Sequence, residues 1–320
     1  MKLPTLLITL LLAIQASTDG TRAPDTAFEL TELPGKVVIR QNGRPFTEYR
    51  WGTSPRPYFF PVLTPSGSHL TRGFPMETMP GESKDHRHHQ SIWFGHGDVN
   101  GYDFWSNSQG NRIEHQEVMS RTSTPEESIL EVVNNWNTHD GKTLLVEKRR
   151  MVFRSEGSRR SIDLEFELLP VGESVTFGDT KEGTMAIRVA PTLRLKGASA
   201  SGSIHASEGH DDEKAWGSRN RWVAYSGPVG SETATISIFD HPSNPRHPTW
   251  WHARDYGLFA ANPFGIHDFE KKPPGTGDLV LEPGSTLKLK YRIELDTAKA
   301  DPDAINSRWK RWSARKTQGS

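Results

Sequence analysis

The sequence predicts an all-β protein, a large antiparallel β-sandwich with a short C-terminal helix. Six segments alternate apolar and polar residues with a period of two, which is typical of strands that bury one face. These segments are residues 36–40, 129–136, 144–154, 161–169, 235–239 and 286–295. Turn-forming pairs separate the strands, among them Asn42-Gly43, Asp140-Gly141 and Pro283-Gly284. The predicted helix has Asp301 as its N-cap and Pro302 at its first position, and it runs towards the end of the chain.

The N-terminal residues are typical of a secretory signal peptide. Lys2 precedes an apolar run over residues 6–16, and small and polar residues follow it. The run is too short to span a bilayer, and no other stretch approaches the roughly 18 apolar residues of a transmembrane helix. We therefore expect residues 1–20 to be cleaved and residues 21–320 to form a single exported sandwich domain, periplasmic or extracellular, without a membrane span.

The net charge and the lack of cysteine limit the binding partners and the catalytic groups that this protein can use. The 39 basic and 39 acidic side chains cancel, so no global field attracts nucleic acid or anionic lipid. Because the chain has no cysteine, disulfides and thiolate chemistry are excluded. Catalysis would depend on histidine, carboxylate, arginine, tyrosine or a metal. We expect a small-molecule or oligosaccharide ligand, and the sequence does not determine the oligomeric state.

The densest group of reactive residues is DHRHHQSIWFGHGDVNGYDFW, residues 85–105, which contains four of the 13 histidines. If residues 85–94 run extended, alternate side chains share a face. His86 and His88 then point one way and His89 the other. This density favours a functional site over a polar turn whose histidines only satisfy backbone groups.

Two imidazoles on one face can bind one divalent metal ion, which makes His86 and His88 candidate ligands. A metal site needs a third ligand. The candidates for it are His96, Asp98 and His252. A bound divalent metal is therefore one hypothesis, and an acid–base site without a metal is the other.

A second segment, residues 240–257, combines histidines, tryptophans and charges in DHPSNPRHPTWWHARDYG. Its three prolines forbid regular strand pairing in the first half. We predict that the second half is a strand with His252 and Arg254 on one face and Trp251 and Asp255 on the other. The alternative is an aromatic core strand with exposed ions.

A third segment, GDTKEGTMAIRVAP at residues 178–191, places Glu182 at a turn and Arg188 inside an apolar strand. A buried charge needs a partner or a ligand. The alternative is an Arg188 that faces outwards from a half-exposed strand.

Together the three segments suit a polyhydroxylated ring, because aromatic faces pack on C–H surface while polar groups bind its hydroxyls. Histidine and carboxylate side chains supply acid–base catalysis near neutral pH. The candidate catalytic residues are His89, His252, Asp85, Glu182 and Asp255. The candidate substrate-binding residues are Arg188, Arg254, Trp105, Trp251, Asn100 and Asp103.

Residues 85–105, 177–197 and 239–265 resemble three segments of a soluble bacterial family that is labelled PmoA-like, or methane-oxygenase-like, and is of unknown function. The resemblance covers residues 30–296. The membrane-bound methane monooxygenase subunit of that name is built of transmembrane helices. We do not expect methane oxidation, because the mature chain has no such helix.

More distantly, the NGYDFW end of the first segment resembles a segment of the galactose mutarotases. That resemblance implies a large β-sandwich and a histidine acid paired with a carboxylate base at the anomeric centre of a sugar. It also implies sugar-binding His and Asn residues in the first segment, with Glu182 and Asp255 as rival candidates for the base.

We therefore expect an exported sugar-active enzyme, an epimerase, lyase or hydrolase. One alternative is a metal-dependent hydrolase or oxygenase that uses His86 and His88. The other alternative is a non-catalytic glycan-binding module.

Overall fold

The computed structural model describes residues 28–315, which form two large antiparallel sheets and a small one, with strands numbered in chain order. In spatial order, the nine-stranded sheet contains β1 (Phe28–Leu33), β2 (Lys36–Gln41), β3 (Arg44–Arg50), β4 (Tyr58–Val62), β5 (Ile92–His96), β11 (Gly183–Arg188), β17 (Leu258–Asn262), β16 (Thr249–Trp251) and β13 (Arg219–Asn220). The eight-stranded sheet contains β12 (Ser203–Ala206), β14 (Trp222–Val229), β15 (Glu232–Asp240), β19 (Leu287–Asp296), β9 (Arg159–Pro170), β8 (Thr143–Glu156), β7 (Ser128–Asn137) and β6 (Arg112–Ser123). The small sheet pairs β10 (Val175–Phe177) with β18 (Leu279–Leu281). The helices are α1 (Ile266–Glu270) and α2 (Pro302–Ser313).

The predicted fold class is confirmed. Each of the six alternating segments lies in a strand: β2, β7, β8, β9, β15 and β19. The Asn42-Gly43 pair makes the tight turn between β2 and β3 with positive φ at both residues, as a type I′ hairpin turn requires. The predicted signal peptide, residues 1–20, lies outside the described residues. Within residues 28–315, no helix combines the length and apolar character needed to cross a membrane.

The main core lies between the two large sheets. Phe94 of β5 stacks on Phe166 of β9, with ring centroids 4.0 Å apart. Tyr225 of β14 stacks on Phe259 of β17 at 4.6 Å. Because alternate residues of each strand point inwards, the two sheets bury one continuous apolar cluster between them.

The nine-stranded sheet is buried on its outer face as well. A second apolar cluster stands there, and it comprises Tyr58, Phe60, Trp93, Trp105, Ala186, Leu258 and Ala260. The connections before and after β5 cross this face; Met76 and Trp105 from these connections pack in the cluster. Polar residues in these connections therefore lie above a buried apolar cluster.

Helix α2 covers part of the outer face of the eight-stranded sheet. Its predicted N-cap is confirmed, since Asp301 Oδ1 accepts hydrogen bonds from the backbone N–H groups of Asp303 and Ala304, both at 3.1 Å. The buried face of the helix packs on Trp222 and Phe239 through Ile305, Trp309 and Trp312.

Candidate functional site

A cavity of about 270 Å³ lies on the outer face of the nine-stranded sheet, close to β5. Its lining residues are His86, His88, His89, Gly97, Asp103, Trp105, Ser106, Glu182 and Tyr256. The volume is near the lower end of the range for small-molecule sites, so it suits a compact ligand. Six of the sequence-predicted site residues meet here: His86, His88, His89, Asp103, Trp105 and Glu182.

The register of three neighbouring strands and of the residue after β16 places His252 on the same face as the cavity. Trp93 is paired with Ala186, Ala186 with Ala260, and the backbone of Ala260 with His252. These four side chains form a row across the sheet, in which the two central alanines are small. The space above the sheet is therefore bounded by large side chains on both sides.

The histidine segment is a turn, so the condition considered above, an extended run over residues 85–94, is not met. The backbone N–H of His89 donates to the carbonyl of His86 at 2.9 Å, and His86 has a φ of +41°. Strand β5 begins only at Ile92. Because the turn reverses the chain, the rings of His86 and His89 stack at 4.7 Å instead of pointing to opposite faces.

Two buried arginines hold this turn through its carbonyl groups. Arg72 donates to the carbonyl oxygens of Asp85 at 3.0 Å, of His86 at 2.9 Å and of His89 at 3.3 Å. Arg56 donates to the carbonyl oxygen of His88. Both guanidinium groups are thus used to fix loop backbone, which would otherwise have unpaired acceptors.

Arg188, which is 1% exposed in β11, has Asp85 as its ionic partner. Its Nη2 lies 3.0 Å and 3.2 Å from the two carboxylate oxygens of Asp85. Arg72 also contacts Asp85, at 2.6 Å. Burial alone would raise the pKa of Asp85, but Arg188 and hydrogen bonds from His86 and Ser83 bring it well below its usual range.

Arg188 also sets the tautomer of His89. Its Nη1 donates to His89 Nδ1 at 3.0 Å, so the proton of the neutral ring is on Nε2. Burial lowers the pKa of His89 far below its usual value, and the neighbouring His88 and Arg188 add to this effect. The ring stacks on Trp93 at 5.3 Å and lines the cavity. His89 is therefore a neutral hydrogen-bond donor.

The carboxyl group of Glu182 is the available base of the cavity. Among residues 28–315 it accepts no hydrogen bond, and its ion pair, with Lys181, is long at 3.7 Å. Burial raises the pKa of Glu182, against the opposing effect of Lys181. Gly97 allows this position, because a Cβ there would lie 2.8 Å from the Cβ of Glu182.

Two further carboxylates near the cavity, Asp103 and Asp85, are already engaged. Asp103 accepts from the backbone N–H groups of Trp105 at 2.7 Å and Ser106 at 2.8 Å, and from the Ser106 hydroxyl. Asp85 is held by the two arginines described above. Asp103 therefore fixes the loop that carries Trp105, and Glu182 is the carboxylate with free oxygen atoms.

Tyr256 forms one wall of the cavity and is flanked by two arginines. The guanidinium carbon of Arg188 lies 4.6 Å from the centre of its ring, and that of Arg254 lies 5.5 Å away. The ring is parallel to that of His86, with centroids 5.3 Å apart. Tyr256 thus offers a stacking face next to two cations.

Comparison with known proteins assigns the chain to a family. The model described as a family of unknown function, DUF6807, matches residues 36–310. The chain belongs to this family. The expected likeness to a family of unknown function is confirmed, and the methane-oxygenase label finds no support in the comparisons. No curated protein matches the chain.

Two solved structures are similar to this DUF6807 member. One is the Slr1438 protein from Synechocystis sp. PCC 6803, at 10% identity and a TM-score of 0.36, with 87% of this chain and 99% of that chain covered. The other is a galactose mutarotase related enzyme from Lactobacillus acidophilus, at 10% identity and a TM-score of 0.29, with 86% and 99% covered. At these values neither structure assigns a role to a residue of this chain.

Four predicted site residues lie away from the cavity, namely His96, which is described below, and Trp251, Asn100 and Asp255. Trp251 is in the core between the sheets, where its Nε1 donates to the carbonyl of Asn220 at 2.9 Å, so the prediction of a stacking surface there is wrong. The Asn100 side chain joins its loop to Thr176 of β10 at 2.7 Å. Asp255 pairs with Lys196 at 3.2 Å. These contacts tie loops together.

His252 is on the cavity face of the sheet but does not line the cavity. Its Nδ1 donates to the carbonyl oxygen of Lys181 at 3.0 Å. Burial lowers the pKa of His252 to about 3, and Arg254 contributes to the shift. Its contact with Lys181 positions the segment that carries Glu182.

The predicted metal site is not assembled. Among residues 28–315, no group of three or more His, Cys, Asp or Glu side chains is placed to hold a metal ion. The rings of His86 and His88 lie 5.7 Å apart and nearly perpendicular. His96 points to the opposite face of β5, where its Nε2 donates to the carbonyl of Gly178 at 2.8 Å. His96 therefore cannot be their third ligand here.

Three residues of the site escaped the sequence analysis, namely Arg56, Arg72 and Tyr256. The two arginines come from connections outside the three chemical segments, and nothing local marks them. Tyr256 follows Arg254 and Asp255 and precedes Gly257, which has a positive φ. An aromatic residue at a glycine turn beside charged residues was the available signal for Tyr256.

Proposed function

We propose that this cavity binds a single sugar ring or sugar derivative and catalyses a reversible proton transfer on it, an isomerisation, with Glu182 as the general base. The observation that carries the proposal is the pairing of two groups in one cavity: the unengaged carboxyl of Glu182 and the fixed Nε2–H donor of His89. Two titratable groups whose environments differ in this way are a signature of acid–base sites.

In the opening of a sugar ring, the base takes the proton of the anomeric hydroxyl, the ring C–O bond breaks, and the ring oxygen gains a proton. Glu182 takes the first proton and releases it to solvent. His89 does not give up its Nε2 proton, because its neutral ring is a very weak acid; it donates a hydrogen bond to the ring oxygen as charge develops there. Solvent then protonates that oxygen.

This role for His89 is narrower than the acid or base that the sequence analysis expected. Burial, with help from Arg56, lowers the pKa of His88 to about 4, so His88 is also neutral at pH 7 and can accept a hydrogen bond from a sugar hydroxyl. Tyr256, which is half-buried, supplies stacking surface for the C–H side of the ring, and the buried Trp105 belongs to the apolar cluster beneath the cavity.

The test is anomeric exchange, measured by magnetisation-transfer NMR on glucose, galactose, xylose, glucuronate and galacturonate. We expect the protein to accelerate exchange for at least one sugar, and Glu182→Gln to lower that rate about 100-fold or more. Glu173→Gln is the matched control, since Glu173 is an exposed carboxylate that pairs with Lys142. Its rate should equal that of the wild type.

Two results would contradict this proposal. Retention of the full rate by Glu182→Gln would remove the base. Binding of a sugar, seen by saturation-transfer difference NMR, with no exchange for any member of the panel would instead indicate a non-catalytic glycan-binding module.

A further inference from the structure

We infer that the ligand of the cavity carries a carboxylate group, as a uronic acid does, and that Arg254 is the residue that recognises it. The inference rests on the proposed function for the class of ligand, a sugar ring. It adds the charge of that ring and a specificity residue that contacts Tyr256, one of the residues lining the cavity.

Arg254 is a cation that has no counterion in the described part of the chain. Among residues 28–315 its guanidinium group has no ion pair and no hydrogen bond, although the residue is only partly exposed. Other arginines around the site are engaged: Arg188 and Arg72 both pair with Asp85. An arginine fork is suited to bidentate binding of a carboxylate.

The backbone holds Arg254 next to the cavity. Its N–H donates to the carbonyl of Leu258 at 2.7 Å, and the N–H of Gly257 donates to the carbonyl of Arg254 at 2.9 Å. Between these bonds lies Tyr256, whose ring lines the cavity and contacts the Arg254 guanidinium. A ligand that stacks on Tyr256 is therefore within reach of Arg254.

Next to the histidine turn lies a second cation, Arg56, which has no carboxylate partner among the residues that the structure describes. Arg56 is 1% exposed, and its hydrogen bonds go to neutral acceptors, the carbonyls of Phe104 and His88 and the side chain of Asn107. Burial lowers the pKa of Arg56 to about 9, with Asp103 opposing the shift. A negative charge bound in the cavity would stabilise the charged form of this arginine.

Unpaired hydrogen-bond donors also favour a negatively charged ligand. The indole N–H groups of Trp93 and Trp105 are buried and have no partner among the described residues. Trp105 lines the cavity, so its N–H and His89 Nε2–H are two donors with no acceptor among residues 28–315, and Glu182 supplies free acceptor oxygens. A ligand that supplies several acceptors and a negative charge fits this imbalance.

The experiment compares two pairs of sugars that differ only at C6, glucuronate with glucose and galacturonate with galactose, by isothermal titration calorimetry at low and high salt. We expect one uronate to bind at least tenfold more tightly than its neutral counterpart, and added salt to reduce this preference. Arg254→Gln should remove the preference, with the affinity for the neutral sugar changed less than threefold. Arg254→Lys should retain part of it.

Arg311→Gln is the matched control, because Arg311 is an exposed arginine on α2, a helix that covers the other sheet. It should behave as the wild type. Thermal melts of each variant establish that it is folded. Equal affinity for both members of each pair, or a preference that survives in Arg254→Gln, would overturn the inference.

The outcomes separate this inference from the proposed function. Glu182-dependent exchange of neutral sugars without a uronate preference would leave the function standing and defeat the inference. An Arg254-dependent preference for a uronate without any anomeric exchange would support the inference and contradict the proposed function.

Discussion

At His89, one hydrogen bond limits what the ring can do. Arg188 donates to Nδ1, and burial keeps the ring neutral, so the remaining Nε2–H can only donate. The Asp85 carboxylate holds Arg188 in turn, at 3.0 Å. A chain of carboxylate, guanidinium and imidazole thus fixes a donor towards the cavity, in the way that supporting residues orient catalytic groups.

Glu182 gives a stability prediction with a defined pH dependence. Because burial raises its pKa, the folded protein favours the protonated acid. That contribution to stability is present below the pKa of the unfolded chain, about 4.3, and is lost as pH rises through the raised pKa of the folded state. Gln cannot ionise. Glu182→Gln should therefore be more stable than the wild type at pH 7, by about 0.5 kcal/mol after allowance for solvent screening.

Urea unfolding at pH 7 and at pH 4 measures this difference. The gap between Glu182→Gln and the wild type should shrink at pH 4, where most of the Glu182 carboxyl is protonated. A gap of the same size at both pH values would show that the change acts through packing and not through charge.

At the scale of elements, strand β8 carries an ion pair into the core. Glu147 and Arg149 point inwards, and the pair is closed at 2.7 Å. Glu147 also accepts from the side chains of Asn134 and Trp136, each at 2.9 Å. The alternation in residues 144–154 predicted the strand correctly, but it did not indicate that charged residues would be on the buried face.

Loss of the Glu147 charge should be strongly destabilising. Glu147→Gln leaves Arg149 buried without a counterion, which costs about 3 to 5 kcal/mol. Glu131→Gln is the control on the neighbouring strand β7, because Glu131 pairs with Arg150 on the exposed side at 3.4 Å; its cost should be below about 0.5 kcal/mol. Urea unfolding of both variants measures the loss in the free energy of unfolding. Similar losses for the two variants would contradict the role assigned to the buried ion pair.

At the scale of the whole molecule, the two sheets share one core. Phe94 and Phe166 come from different sheets and stack at 4.0 Å, and the surrounding cluster draws on both. The single domain over residues 21–320 stays a prediction, and the shared core supports it. Export also stays a prediction, since residues 1–27 lie outside the described part of the chain.

A single domain should unfold in one cooperative transition. Tryptophan fluorescence and far-UV circular dichroism should give the same urea midpoint. Phe94→Ala, which removes a contact between the sheets, should lower both midpoints together and cost about 3 to 5 kcal/mol. Two separate midpoints, with only one shifted by Phe94→Ala, would show that the sheets unfold independently.

The strands and the N-cap of α2 followed from the sequence because their signals are local. A strand that buries one face has apolar side chains at every second residue. Asp301 caps a helix that starts at the next residue. The residue types of the site were also evident, since the histidines, Glu182 and Arg188 stand in three short segments.

The sequence by itself determined the class of fold and the chemical groups available, whereas the tertiary structure decided which of them meet. Side-chain direction depends on where a strand begins, so the start of β5 at Ile92 sends His96 away from the cavity. Arg56 and Arg72 reach the histidine turn only because separate connections cross the same sheet face. Such contacts between distant residues leave no periodic signal in the chain, because they depend on how loops pack and not on local conformation.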